Sequence, residues 1–177
     1  EALKPLGVWL FARQIETPAQ GFALGLLSGA AYALVESLGA SGRGDTSWLA
    51  VVSVRAGTSI MHIVTTGLMG WAIIAAWREK RILRLVATYA TVILIHGLWN
   101  ASAIGSGFAV VADSMGGSSY GMTIVPAAIC SLAVLGIGML LVLIASNRKA
   151  RFLSKQLVPA ENQPVMEHEL HNDERVQ

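Results

Sequence analysis

Four sparsely charged, apolar stretches constrain this sequence more than any other feature. They run over approximately 20–40, 48–77, 85–104 and 122–146. A hydrocarbon core of about 30 Å needs about 20 residues of helix to cross it, and each stretch meets that length. The composition agrees: 54% of the residues are apolar and 14% are charged, whereas a soluble domain carries about a quarter charged residues. So much apolar surface cannot be hidden in one core of this size and must face lipid. The expected fold is therefore all-α, a multi-pass transmembrane helical bundle. The opening stretch, 1–12, reads as the last turns of an earlier helix, so the membrane domain is expected to cover 1–146, with upstream spans missing.

Orientation follows from lysine and arginine near the span ends, which are enriched on the cytoplasmic side. Arg78, Lys80, Arg81 and Arg84 lie between the second and third stretches, and Arg148, Lys149, Arg151 and Lys155 follow the fourth. Alternating helices bring both clusters and Arg13 to one side, taken as cytoplasmic, which suits an integral protein of a plasma (bacterial inner) membrane. The opposite side receives 41–47 and a Gly/Ser-rich loop around 105–121. Residues 147–177 form a basic segment followed by an acidic tail without apolar periodicity, expected to be disordered and cytoplasmic.

The net charge of +2 and the separation of basic residues from aromatic ones give a nucleic-acid partner no support. The lone Cys130 has no partner for a disulfide or a cysteine-based zinc site. No signal-peptide pattern is present at the start. In the first stretch Gly21, Gly25, Gly29 and Ala33 recur every four residues, a spacing that lets helix backbones pack closely in lipid.

Ionisable groups inside the bilayer cost about 2.5–3.5 kcal/mol each on insertion scales and default to functional hypotheses. Here they are Lys4, Glu36, Arg55, His62 and His96, joined by Asn100 and Glu1. At 1.5 Å per residue, His62 stands about 22 Å above Trp77 and His96 about 18 Å above Arg84, so the two imidazoles are nearly level. Glu36 and Asn100 fall about 24 Å above the same side. His96 and Asn100, four residues apart, share a helix face, and Tyr32 sits one turn below Glu36. Arg55 and Glu36 reach comparable depth and are expected to pair structurally. Such a set supports hydrolysis by either of two routes. Imidazoles and a carboxylate can hold zinc and lower the pKa of its water to about 7, or a Glu and a His can activate water without metal.

At these residues the sequence resembles the PrsW family of intramembrane proteases, relatives of the CAAX-processing protease and self-immunity superfamily. Glu-Ala-Leu-Lys-Pro at the start is similar to the second half of the family's Glu-Glu-x-x-Lys motif and supplies Glu1 and Lys4. The run ending Tyr32-Ala-Leu-Val-Glu36 resembles its Phe-x-x-x-Glu element, with Ser37 where relatives often have Asn. The segment from Arg55 to Gly70 places His62, and His96-Gly-Leu-Trp-Asn100 is a His-x-x-x-Asn element. The resemblance implies hydrolysis of peptide bonds in membrane-protein or peptide substrates at the bilayer. It implies catalytic roles for Glu1, Lys4, Glu36, His62, His96 and Asn100. The cofactor is either Zn²⁺ held by Glu36, His62 and His96, or none, with a Glu and a His activating water and the His-x-x-x-Asn pair holding the oxyanion.

Two competitors follow from the same residues: an ion-coupled transporter, because Glu and His chains also mark ion pathways, and a non-catalytic membrane scaffold with a protease-derived fold. His168-Glu-Leu-His171 is one residue short of a His-Glu-x-x-His zinc motif and is set aside. So is a phosphate-cradle reading of Asp113 and the glycines after it. Pro126 is expected to kink the last span.

Overall fold

The computed structural model describes residues 3–40, 48–116 and 121–157. They form α1 (Leu6–Phe11), α2 (Pro18–Ala40), α3 (Trp48–Glu79), α4 (Ile82–Ser114) and α5 (Gly121–Leu157), with no strand among the described residues. Helices α2 to α5 are each long and apolar enough to cross a membrane, so the expected all-α multi-pass bundle is the observed one. In lipid a backbone must satisfy its own hydrogen bonds, which only a helix does within one segment. That requirement overrides the weak intrinsic helix preference of runs rich in Gly, Val and Ile.

The same requirement corrects the expected loop at 105–121. Helix α4 continues through Gly105 and Gly107 as far as Ser114, because Phe108, Val110 and Val111 keep the segment apolar and an unwound backbone there would go unsatisfied. Its 33 residues span about 50 Å at 1.5 Å each. Asp113 then serves a structural end, since its Oδ1 accepts from the N–H of Gly121, 3.2 Å away, and so caps the start of α5. The chain divides into one unit, Glu1–Leu143, and a second, Ile144–Gln177. In the second, α5 continues to Leu157, and the tail expected to be disordered, with His168 and His171, lies outside the described residues, as do 41–47 and 117–120.

Local chemistry explains the entry into α2. Thr17 Oγ1 accepts from Gln20 N at 3.3 Å, while Gln20 Oε1 accepts from Glu16 N and Thr17 N at 2.8 and 3.1 Å. This reciprocal cap, with Pro18 at the first helical position, leaves few helix-start donors unmet. The short α1 lays Val8 against Ile73 and Ile74 of α3, together with Ala12 and Ile15. Arg78, at the end of α3, donates to the carbonyls of Arg13 and Ile15, each at 2.9 Å, which ties that turn to the end of α3.

Helix α3 is the centre of the bundle: 67% of its apolar window is buried, against 28% for α2 and 11% for α4 and α5. The α2–α3 contact is made by the glycine stripe. A Cβ on Gly25 would stand 2.5 Å from Thr66 O, and one on Gly29 would stand 2.6 Å from His62 O and 2.8 Å from Ile63 Cα. Backbone therefore rests on backbone, the close approach that small residues permit. Across α3–α4, Trp99 is buried, lies over Gly57 and donates from Nε1 to Thr58 Oγ1 at 3.2 Å. Helices α4 and α5 meet through Ser102 and Ser131, whose hydroxyls are 3.0 Å apart.

Candidate active site

Side chains on a helix lean toward its N-terminus, and α2 and α3 run in opposite directions where Gly29 touches His62. Glu36 therefore reaches down α2 while His62 leans the opposite way along the bundle, and the two meet. His62 Nε2 is 2.8 Å from Glu36 Oε2. On the other side of the ring, Lys4 Nζ lies 3.1 Å from His62 Nδ1 and 3.4 Å from His96 Nδ1. The two imidazoles are stacked, with centroids 5.3 Å apart and planes at 28°, a contact that their equal depth along α3 and α4 permits. Tyr32 closes one edge at 5.0 Å from the His62 ring, and Lys4 Nζ is 4.8 Å from the Tyr32 centroid, within cation–π range. His62 is 1% exposed.

The donors and acceptors in this line are self-consistent. An ammonium only donates, so His62 Nδ1 and His96 Nδ1 both accept from Lys4. His62 then carries its proton on Nε2 and donates it to Glu36. The network thereby assigns the tautomer. Arg55 steadies the acid from outside, with Nη2 at 3.3 Å from Ser37 Oγ and 3.7 Å from Glu36 Oε2, the pairing anticipated from depth.

Of the six candidate residues, Lys4, Glu36, His62 and His96 are thus brought together. Asn100 is exposed one turn beyond His96 and stands outside this hydrogen-bonded line, because its neighbour Trp99 takes the face that packs on α3. Glu1 lies outside the described residues. The convergence of Lys4 on both rings was hidden in the sequence, since Lys4 sits in a turn before α1 and no helical register relates it to either histidine. The signals available were its charge in an apolar stretch and its occurrence in a motif.

The family-style metal set of Glu36, His62 and His96 does not surround one point. Glu36 engages Nε2 of His62, whereas His96 and His62 face a common point with their Nδ1 atoms. Among the described residues no group of three His, Cys, Asp or Glu side chains is arranged to hold a metal. Two unprotonated imidazole nitrogens are aimed at one cation, the Lys4 ammonium; they are donors of the kind zinc takes, one short of the three protein ligands of a catalytic site. Glu36 behind His62 is the usual outer partner of a metal-binding imidazole. The Glu36→Gln variant, which keeps the shape and loses the charge, is expected to retain the fold and lower turnover or metal affinity by about 10–100-fold. Metal titration and initial rates on the purified protein check this, and wild-type values would remove Glu36 from the site.

A model of a family described as PrsW family intramembrane metalloprotease matches residues 1–135. No curated protein and no solved structure matches the chain.

Proposed function

We propose, from the premise that this chain belongs to the PrsW family of intramembrane metalloproteases, that it hydrolyses peptide bonds of membrane-associated protein substrates at the Glu36–His62–Lys4–His96 line. One observation carries the reading: a carboxylate and two imidazoles on helices built to cross a membrane meet the ammonium of the turn before α1 by direct hydrogen bonds. Charged groups are costly there, and packing alone would be served better by apolar side chains.

Glu36 and His62 act as one unit. The carboxylate holds Nε2–H, so the electron pair of Nδ1 is presented at the reaction point in a fixed orientation. When a water displaces the Lys4 ammonium from Nδ1, that nitrogen takes a proton from it as it attacks the carbonyl carbon, and the imidazolium returns the proton to the departing peptide nitrogen as the C–N bond breaks. In the alternative, a divalent ion held by the Nδ1 electron pairs of His62 and His96 would polarise the scissile carbonyl and lower the pKa of a coordinated water to about 7, and His62 would then serve as its ligand and not as the base. Asn100, an exposed amide one turn from His96, is available to donate to the carbonyl oxygen as it gains charge, a kind of contact worth about 2.7–4 kcal/mol. The basic span ends support placing the α1–α2 turn and the α3–α4 connection on the cytoplasmic face of a plasma membrane.

The test is cleavage of single-span substrates by the reconstituted protein. His96→Ala is expected to lower turnover by about 100-fold or more with the helical content unchanged. Wild-type turnover in this variant sinks the assignment.

A further inference from the structure

We propose that Tyr32 is a positioning residue: the face of its ring holds the Lys4 ammonium at the His62–His96 pair. The inference rests on the reading of that pair as the reactive centre. Lys4 Nζ lies over the Tyr32 ring, 4.8 Å from its centroid, while the same ring meets the His62 imidazole at 5.0 Å with the planes at 82°. One aromatic side chain thus touches both the imidazole that handles the proton and the cation bonded to it. Both contacts belong to the ring and not to its hydroxyl. An aromatic face is the negative side of the ring quadrupole and attracts a cation within about 6 Å, more strongly where water is excluded. The edge-to-face contact with the buried His62 ring restrains the plane of Tyr32 and so keeps that face turned to Lys4.

Tyr32 reaches this place because of α2. It stands four residues before Glu36, so the two side chains share a helix face, and the close approach at Gly29 brings that face against His62. Glu36 then takes Nε2–H of the imidazole while Tyr32 packs on the ring. Lys4, by contrast, comes from the turn before α1 on a four-carbon stem that no helical register fixes. Its ammonium is located by what it touches, and those contacts include the two Nδ1 atoms at 3.1 and 3.4 Å and the Tyr32 face. A π face suits the task because it accepts no proton and so does not compete with Nδ1 for the one the reaction moves. With the charge held on the ring and on His96, a water can take up Nδ1 of His62 while the ammonium stays in the site, beside the carbonyl oxygen that gains negative charge on attack.

The experiment replaces Tyr32 in the reconstituted full chain by leucine, by phenylalanine, and by phenylalanines carrying one, two and three ring fluorines, which drain the π face with little change of shape. Acetylation of Lys4 by a small amine reagent, read by mass spectrometry, reports the hold on the ammonium. Turnover of a single-span substrate reports its use. Tyr32→Leu is expected to speed labelling and to lower turnover, each by about 2–30-fold, the factor that a cation–π contact is worth. Tyr32→Phe restores both, and successive fluorines return them stepwise toward the leucine values at an unchanged melting temperature. Fluorinated rings that behave as phenylalanine would make Tyr32 a packing element and overturn the inference. So would Tyr32→Phe behaving as leucine, which passes the role to the hydroxyl, or a graded labelling series with level turnover. Loss of cleavage in His96→Ala decides the peptidase reading separately; in a protein that cleaves nothing, the labelling series alone decides whether Tyr32 holds Lys4.

Discussion

Replacing His62 by alanine is expected to lower peptide hydrolysis by about 10²–10⁴-fold, the range contributed by a positioned acid–base group. His62 is the one side chain that touches both halves of the line, with Glu36 on Nε2 and Lys4 on Nδ1. The alanine variant also strips Glu36 of its 2.8 Å partner and opens a hole beside the Tyr32 and His96 rings that pack on the imidazole. Truncating a large buried side chain to alanine costs about 2–5 kcal/mol, so this variant confounds chemistry with folding. His62→Gln separates them. A glutamine amide can still donate to Glu36 and fills much of the space, but it has no basic nitrogen to aim at the reaction point. Thermal unfolding in detergent is expected to be near wild type for His62→Gln and depressed for His62→Ala, while both lose cleavage of a single-span substrate in vesicles. If His62→Gln cleaves at the wild-type rate, the imidazole is not the group that handles the proton.

The second large effect belongs to a residue with no functional group. Gly29→Ala places a methyl group 2.6 Å from the carbonyl oxygen of His62 and 2.8 Å from Ile63 Cα. Both neighbours are backbone, so relief must come from separating α2 and α3. Overpacking of this kind costs about 1–3 kcal/mol. It also lengthens the Glu36–His62 bond, because those side chains project from the two helices being pushed apart. Loss of stability and loss of cleavage should therefore appear together. Gly136→Ala is the matched control: nothing lies within 4 Å of a Cβ at that position, and alanine is favoured over glycine in a helix by up to about 1 kcal/mol. Melting temperature and turnover, measured side by side, should fall for Gly29→Ala and hold for Gly136→Ala. Equal behaviour of the two would mean that the glycine stripe does not set the distance across the site.

Much of the membrane architecture was legible because it rests on short-range physics. The four spans follow from length and apolarity, and a close-packing face on α2 follows from small residues every fourth position. The level placement of His62 and His96 came from counting residues along helices of fixed rise. Where counting failed, the cause was the solvent: glycines at 105 and 107 suggest a loop in water, but in an apolar run the cost of unsatisfied backbone keeps α4 helical to Ser114.

The site itself was legible as a set of residues and not as a geometry. Sequence determined that a Glu, two His and a Lys occur in or beside membrane-spanning helices, and that the two rings share one depth, because helical rise depends only on the chain itself. Tertiary structure decided which nitrogen of His62 meets Glu36, that Lys4 lies at both Nδ1 atoms, and that Asn100 stands apart. Those outcomes depend on the rotation of each helix about its axis and on the path of the turn before α1, which are set by contacts such as Gly29 on His62 and Trp99 on Thr58 between residues far apart in the chain.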